Sequence, residues 1–330
     1  MSFRIWTIFW VIAIVASAVA TFGPEGTLAA IIVVAFWALI FYGSTRLSSP
    51  TGLLFVVVFI AAAVAILLTV LQTRSESSAS DECEINLGQI TDALKDHCDR
   101  FGSFPPAYSV DPNGKPLFSW RVSVLPPLEE EALYSQFDLK KAWDDPVNRN
   151  GSATPLEDFK CPTHFLPGPT ADYLAIIGAE TAWPFDKPRN LRDFQNKLSQ
   201  TILLVEACGR HINWAEPRDL SFEEAVNLLA TPLAKGDGHH VENGFLFKPS
   251  SGRFVAFADG RVAILSQPID RNLAKSLLTV GGSDQIPAGE LAAITHPQID
   301  WAKCYALAAF IVISLLPAVR LMRRSSDKKN

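Results

Sequence analysis

Four apolar runs that are almost free of charge stand at the two ends of this chain and leave its middle polar, and they constrain its fold more than any other feature. They are Ile5 to Phe22, Leu28 to Phe41, Leu53 to Leu71 and Tyr305 to Val319. Composition matters only because of this placement. The chain is 48% apolar yet 19% charged, so the apolar excess has to be concentrated somewhere, and it is concentrated in these runs. A bilayer core of about 30 Å takes roughly 17 to 25 apolar residues in helical form. The first and third runs meet that length, and the second and fourth rely on Trp37, Tyr42, Trp301 and Tyr305 as interfacial flanks. The sequence therefore predicts a transmembrane region over residues 1–74, with spans at about 5–22, 28–43 and 52–72. A C-terminal transmembrane helix over 301–320 and a basic cytoplasmic tail over 321–330 follow.

Basic residues near a span are retained on the cytoplasmic side. Arg4 and Arg46 mark that side, the first turn carries only Glu25, and Arg320, Arg323, Arg324, Lys328 and Lys329 follow the last run. This pattern predicts a multi-pass protein of the inner, cytoplasmic membrane, with residues 75–300 displayed on the outer, periplasmic face. Ala18-Val19-Ala20 also fits the end of a cleaved signal peptide covering residues 1–20, which changes the number of spans and leaves the large domain outside. The lipid bilayer and other envelope proteins are the partners expected. A net charge of −5 and a pI near 5.7 argue against a nucleic-acid partner. No run holds an ionisable residue in its interior, which counts against a coupled transporter, though an accessory of a transporter or sensor fits.

Within the middle region, Cys83, Leu87, Ile90, Leu94 and Cys98 recur at helical spacing and predict an amphipathic helix that ends near Arg100, before Gly102, Pro105 and Pro106. Short strand-like runs follow at Trp120 to Leu125, Tyr173 to Ile177 and Thr201 to Val205. Helices are expected near Leu128 to Gln136 and Phe222 to Leu229. Arg253 to Ala258 and Arg261 to Leu265 flank Asp259-Gly260, a dipeptide suited to a two-residue hairpin turn. One helix on an antiparallel sheet with long loops is an α+β design.

The candidate chemistry is sparse. Cys83 and Cys98 share one helix, where fifteen residues span about 22 Å, so they cannot bond to each other. Each pairs elsewhere or stays a buried thiol. Cys161-Pro162-Thr163-His164 and Cys208-Gly209-Arg210-His211 are two Cys-x-x-His pairs that supply four zinc-type ligands. Asp237, His239, His240 and Asp259 form a further polar set suited to acid and base work, with no nucleophile near in sequence. Trp120, Trp143, Trp183 and Trp214 read as core or loop anchors.

Several segments, in order, carry a family resemblance. Asn86-Leu87-Gly88, Phe104-Pro105-Pro106, Ser119-Trp120-Arg121-Val122, Cys161-Pro162, Thr201-Ile202-Leu203 with Glu206, and Phe257-Ala258-Asp259-Gly260 resemble the domain of unknown function 1559, a bacterial pilin-like (PulG-like) family. The resemblance implies a pilin-like ectodomain. It matches Cys83 and Cys161, and so implies disulfides joining Cys83 to Cys161 and Cys98 to Cys208. Pro50-Thr51-Gly52-Leu53 lacks the glutamate of a processed pilin leader, so a fixed, non-polymerising domain is expected. The function expected is that of a non-enzymatic interaction or assembly component of the envelope or a secretion-related system, with no cofactor. The alternative is an envelope enzyme or metal-binding protein using the His239 and Asp259 region or the Cys-x-x-His pairs.

Overall fold

The computed structural model describes residues 5–23, 26–43, 77–164, 166–185, 187–233, 240–242, 247, 250–281, 285–296 and 298–326. In chain order the main elements are α1 (Ile5–Phe22), α2 (Gly26–Gly43), α3 (Ser77–Phe101), β1 (Tyr108–Val110), β2 (Pro116–Ser119), β3 (Tyr173–Ile177) and β4 (Ile202–Glu206). They continue with β5 (Leu220–Ser221), α4 (Phe222–Ala230), β6 (His240–Glu242), β7 (Ser250–Phe257), β8 (Val262–Ser266), α5 (Arg271–Leu278), α6 (Ala288–Thr295) and α7 (Trp301–Ser326). The chain divides into two compact units. One holds Met1–Ser75, Gly244–Lys248 and Gln298–Asn330, and the other holds Glu76–Asn243 and Pro249–Pro297.

The first unit is built from α1, α2 and α7 around Trp10, Ile14, Ala18, Ala30 and Trp37. Pro317 lies inside α7 and has no N–H to give the carbonyl four residues back, that of Ile313. The Trp10 indole donates to that carbonyl at 2.8 Å, and Trp37 donates to the neighbouring Ser314 carbonyl at 2.7 Å. Among the described residues no helix is long and apolar enough to cross a membrane, which overturns the transmembrane helices expected at 5–22, 28–43 and 301–320. The physical reason lies in length and charge. Helices α1 and α2 have 18 residues each, at the low edge of the roughly 17 to 25 that a span takes, and rise about 27 Å against a core of about 30 Å. Helix α7 includes Lys303, Arg320, Arg323 and Arg324 in its 26 residues. The span expected at 52–72 lies outside the described residues.

The second unit is α+β. Helix α3 turns its predicted stripe inward, with Cys83, Leu87, Ile90, Leu94 and Cys98 all buried. Burying each aliphatic member contributes about 1.5–3 kcal/mol before entropy is counted. The helix stops where predicted because Gly102 adopts φ +82° and its N–H caps the Cys98 carbonyl at 2.8 Å. The sheet is mixed, not antiparallel as expected. β3–β4, β4–β7, β6–β7 and β7–β8 are antiparallel, but the two-residue β5 pairs parallel with β3, Ile176 opposite Leu220. Strand β4 is buried along its whole length, which is why Ile202-Leu203-Leu204-Val205 reads as one apolar run.

The β7–β8 hairpin also differs from expectation at its tip. Phe257 and Arg261 close the ladder at 2.9 Å and the Gly260 N–H returns to the Phe257 carbonyl, so Ala258-Asp259-Gly260 is a three-residue loop with Gly260 at φ +93°. Ala258 is drawn into the loop because its N–H bonds the Thr201 carbonyl at 2.8 Å. Trp120, Trp183 and Trp214 are buried as read, and Trp143 packs half-buried against the core.

Candidate metal centre

Three segments bring the sulfur ligands together. Helix α3 supplies Cys83. Asn86, one turn on, donates its side-chain amide to the Glu157 and Lys160 carbonyls at 3.2 and 3.3 Å, and so fixes the chain entering Cys161. The Cys161 N–H donates to Asp172 Oδ2 at 3.0 Å, and a turn closed by His164 N–H on the Cys161 carbonyl swings His164 back over the same carboxylate. Asp172 stands immediately before β3. Across the sheet, β4 ends at Glu206, the Ala207 N–H bonds the Asp172 carbonyl at 2.7 Å, and Cys208 follows. Gly209, at φ +76°, reverses the chain beside the His164 ring.

The result is a compact donor cluster. Cys83 Sγ and Cys161 Sγ are 2.9 Å apart, and Cys161 Sγ lies 2.8 Å from Thr163 Oγ1. Cys208 contacts Cys161 and lies 3.5 Å from Glu206 Oε1. The ligand atoms of His164, Asp172 and Cys208 all lie within 4.8 Å of one another, and so do those of Cys83, Cys161 and Glu206. Burial is deep: Cys83, Cys161, Asp172, Glu206 and Cys208 are buried, and the His164 side chain is 21% exposed. His164 Nδ1 is itself buried and has no hydrogen-bond partner; Asp172 Oδ1 is 3.9 Å away.

The electrostatics follow from this crowding. Contact with Cys161, and then burial, pushes the Cys83 and Cys208 thiols far above the ordinary thiol range. Burial also raises the Asp172 carboxyl. All three thiols of the cluster are buried.

Three of the four zinc candidates, Cys161, His164 and Cys208, come together. His211 does not: it is exposed, at φ +52°, beyond the Gly209 reversal. Asp172 and Cys83 take places that no local spacing announced. Among the described residues no cysteine is joined in a disulfide, so the expected bonds are not formed. Geometry also separates Cys98 from Cys208. Cys98 is about four turns along α3 from Cys83, with its thiol bonded to Leu191 backbone and raised by burial.

The remaining candidates do not converge. Asp237 and His239 lie outside the described residues, and the His240 backbone pairs with Gly252 in the sheet. Asp259 Oδ1 accepts from the Arg261 N–H at 3.0 Å, a turn contact. A surface pocket of about 330 Å³ is lined in part by Arg210, Glu224, Thr231 and Arg253. Its carboxylate, Glu224, accepts from the Ser221 hydroxyl and N–H in a capping box of α4.

Of the motif residues, Pro105 and Trp120 are buried, Pro106 is exposed, and Arg121 anchors a second buried centre. There Arg121 donates to both Asp219 oxygens, the shorter at 2.6 Å, to the Tyr173 carbonyl at 2.9 Å and to Ser119 Oγ at 2.8 Å.

A family model described as Protein of unknown function (DUF1559) matches residues 80–261. That stretch contains Cys83, Arg121, Cys161, His164, Asp172, Cys208, Asp219 and the β7–β8 turn. No curated protein and no solved structure matches the chain.

Proposed function

We propose, since the chain belongs to the DUF1559 family of proteins of unknown function, that it is a non-enzymatic, pilin-like interaction or assembly module of the cell envelope. One observation carries this reading. The strong polar side chains of the second unit are turned to architecture: Arg121 and Asp219 to β3, Asn86 to the Cys161 loop, Glu224 to its helix cap and Asp259 to its turn. The pilin-like part rests on one long amphipathic helix laid by its buried stripe on a sheet, an arrangement shared by many α+β folds.

Association with a lipid bilayer belongs to the same proposal. It is supported by the large apolar side chains that the first unit leaves exposed, among them Phe9, Ile12, Ile311, Val312 and Leu315. In the second unit Ile85, Val110, Leu139, Val147 and Phe185 are also exposed and offer contact points for a protein partner.

The test uses the full chain in its native cells, with photo-crosslinking side chains placed at Ile85, Leu139, Val147 and Phe185. The expected outcome is a discrete crosslinked envelope protein together with flotation of the purified chain on anionic lipid vesicles. Absence of any crosslinked partner, combined with turnover of a substrate by the purified chain, overturns the reading.

A further inference from the structure

We propose that this chain binds one zinc(II) ion through Cys161 Sγ, Cys208 Sγ, His164 Nδ1 and one oxygen of Asp172. The ligand chemistry selects the ion. Two sulfurs exclude calcium and magnesium, which take oxygen donors, and a set of two thiolates, one imidazole and one carboxylate suits tetrahedral zinc. Ligand distances of about 2.0–2.3 Å place tetrahedral donors roughly 3.3–3.8 Å apart. His164, Asp172 and Cys208 already lie within 4.8 Å of one another, and Cys161 touches Cys208, so small side-chain rotations complete the set.

A second, independent observation points to a ligand. His164 Nδ1 is buried and aimed at the cluster with no hydrogen-bond partner, a costly state for a ring nitrogen that a metal bond relieves. The surroundings supply outer contacts of the kind that orient metal ligands. Thr163 Oγ1 lies 2.8 Å from Cys161 Sγ, Glu206 Oε1 lies 3.5 Å from Cys208 Sγ, and the Cys161 N–H holds the second Asp172 oxygen at 3.0 Å. Binding replaces the two thiol protons, which pass to water, and leaves four protein bonds to the ion. All four positions are filled by the protein, so the site is closed and structural: it ties the Cys161 loop, the start of β3 and the end of β4 into one knot. Cys83 sits outside the set and hydrogen-bonds the Cys161 sulfur.

The test loads the full chain with zinc alone in a thiol-reducing buffer and counts the metal retained after desalting. One zinc per chain is expected. His164→Ala and Cys208→Ala should each weaken zinc binding by at least about 100-fold, because loss of a mere outer contact already costs about 10–100-fold. Cys98→Ala and His211→Ala should leave zinc binding unchanged, and Cys83→Ala, which removes an outer contact to Cys161, should weaken it by no more than about 10–100-fold and still retain one ion at saturating zinc.

Because Cys208 is buried, its variant is checked a second way, by cobalt(II) substitution. The thiolate-to-cobalt absorption expected for two thiolates in the parent should fall by half in Cys208→Ala and stay unchanged in His211→Ala. The His164→Ala variant, at a partly exposed position, is checked for the parent's circular dichroism spectrum before its affinity is read. Retention of substantially less than one zinc by the reduced parent overturns the proposal. So does unchanged affinity in His164→Ala, or loss of the ion in Cys83→Ala, which would move it to the Cys83, Cys161 and Glu206 set.

Discussion

The Arg121–Asp219 pair and the Cys161 cluster are both buried, and Tyr173 of β3 touches each of them. Its carbonyl accepts from Arg121, while its hydroxyl reaches the Cys83 carbonyl at 3.4 Å. Around Arg121 the charges match and the acceptors are filled. Both terminal guanidinium nitrogens are bonded, Asp219 takes the Ala175 N–H at 2.7 Å as well, and the guanidinium rests 4.7 Å from the Trp120 ring. Around Cys161 the balance differs. Three thiols, an imidazole and two carboxylates meet there, and the buried Arg253 donates to the Glu206 carbonyl at 3.3 Å. Burial alone therefore does not separate a structural centre from a binding one; the surplus of ligand atoms does.

That contrast can be broken most forcefully at Asp219. Asp219→Ala leaves Arg121 charged, buried and unpaired, and should cost about 3–5 kcal/mol in urea unfolding of the full chain. A loss below about 1 kcal/mol would mean that the pair is not what secures β3. A middle-sized effect is expected at the other centre. Asn86→Ala removes the donor from the Glu157 and Lys160 carbonyls and should cost about 1–3 kcal/mol. Hydrogen exchange should show the loss in residues 157–164 before α3; uniform loosening of the unit would refute a local role for Asn86.

The smallest effect belongs to a carboxylate outside both centres. Hydrogen bonds from Ser221 hold the Glu224 carboxyl below its ordinary value of 4.5. Since the folded value is the lower one, its contribution is present above the unfolded value and is lost as pH falls through the folded one. Glu224→Gln should cost only a few tenths of a kcal/mol at pH 7, because the side chain is largely exposed. The difference from the parent should vanish in unfolding curves taken well below pH 4.5. A difference that persists there would assign the effect to shape and not to charge.

Periodicity made α3 legible from the sequence, since a 3.6-residue repeat survives whatever packs against it. The runs Thr201 to Val205 and Arg253 to Leu265 were legible as strands for the same kind of reason. The loop at Asp259 was read one residue short because Ala258 is claimed by Thr201, a contact that local pattern does not carry. Two residues of β5 are too few to register as a strand, so the parallel edge stayed hidden. Cys-x-x-His spacing named Cys161, His164 and Cys208, which the fold brings together, and also His211, which the fold leaves exposed beyond the Gly209 reversal. Cys83 and Asp172 reach the cluster through contacts 78 and 11 residues from Cys161, beyond what a local motif encodes. Among the described residues the apolar runs at Ile5 to Phe22, Leu28 to Phe41 and Tyr305 to Val319 were legible as helices. Their shortfall as membrane spans was not, because 18 residues sit at the low edge of the spanning range, where the apolar pattern alone does not decide.

Pro317 has one more consequence, and it concerns time. The carbonyl it leaves open at Ile313 is taken by Trp10, 303 residues earlier in the chain. Helix α1 is therefore synthesised well before its partner turn. At synthesis rates of about 5–20 residues per second, the Trp10 indole waits roughly 15–60 s for its acceptor to emerge. During that wait every residue of the second unit, Glu76–Asn243 and Pro249–Pro297, is made, so the Trp10 bond closes after the second unit has had its chance to form.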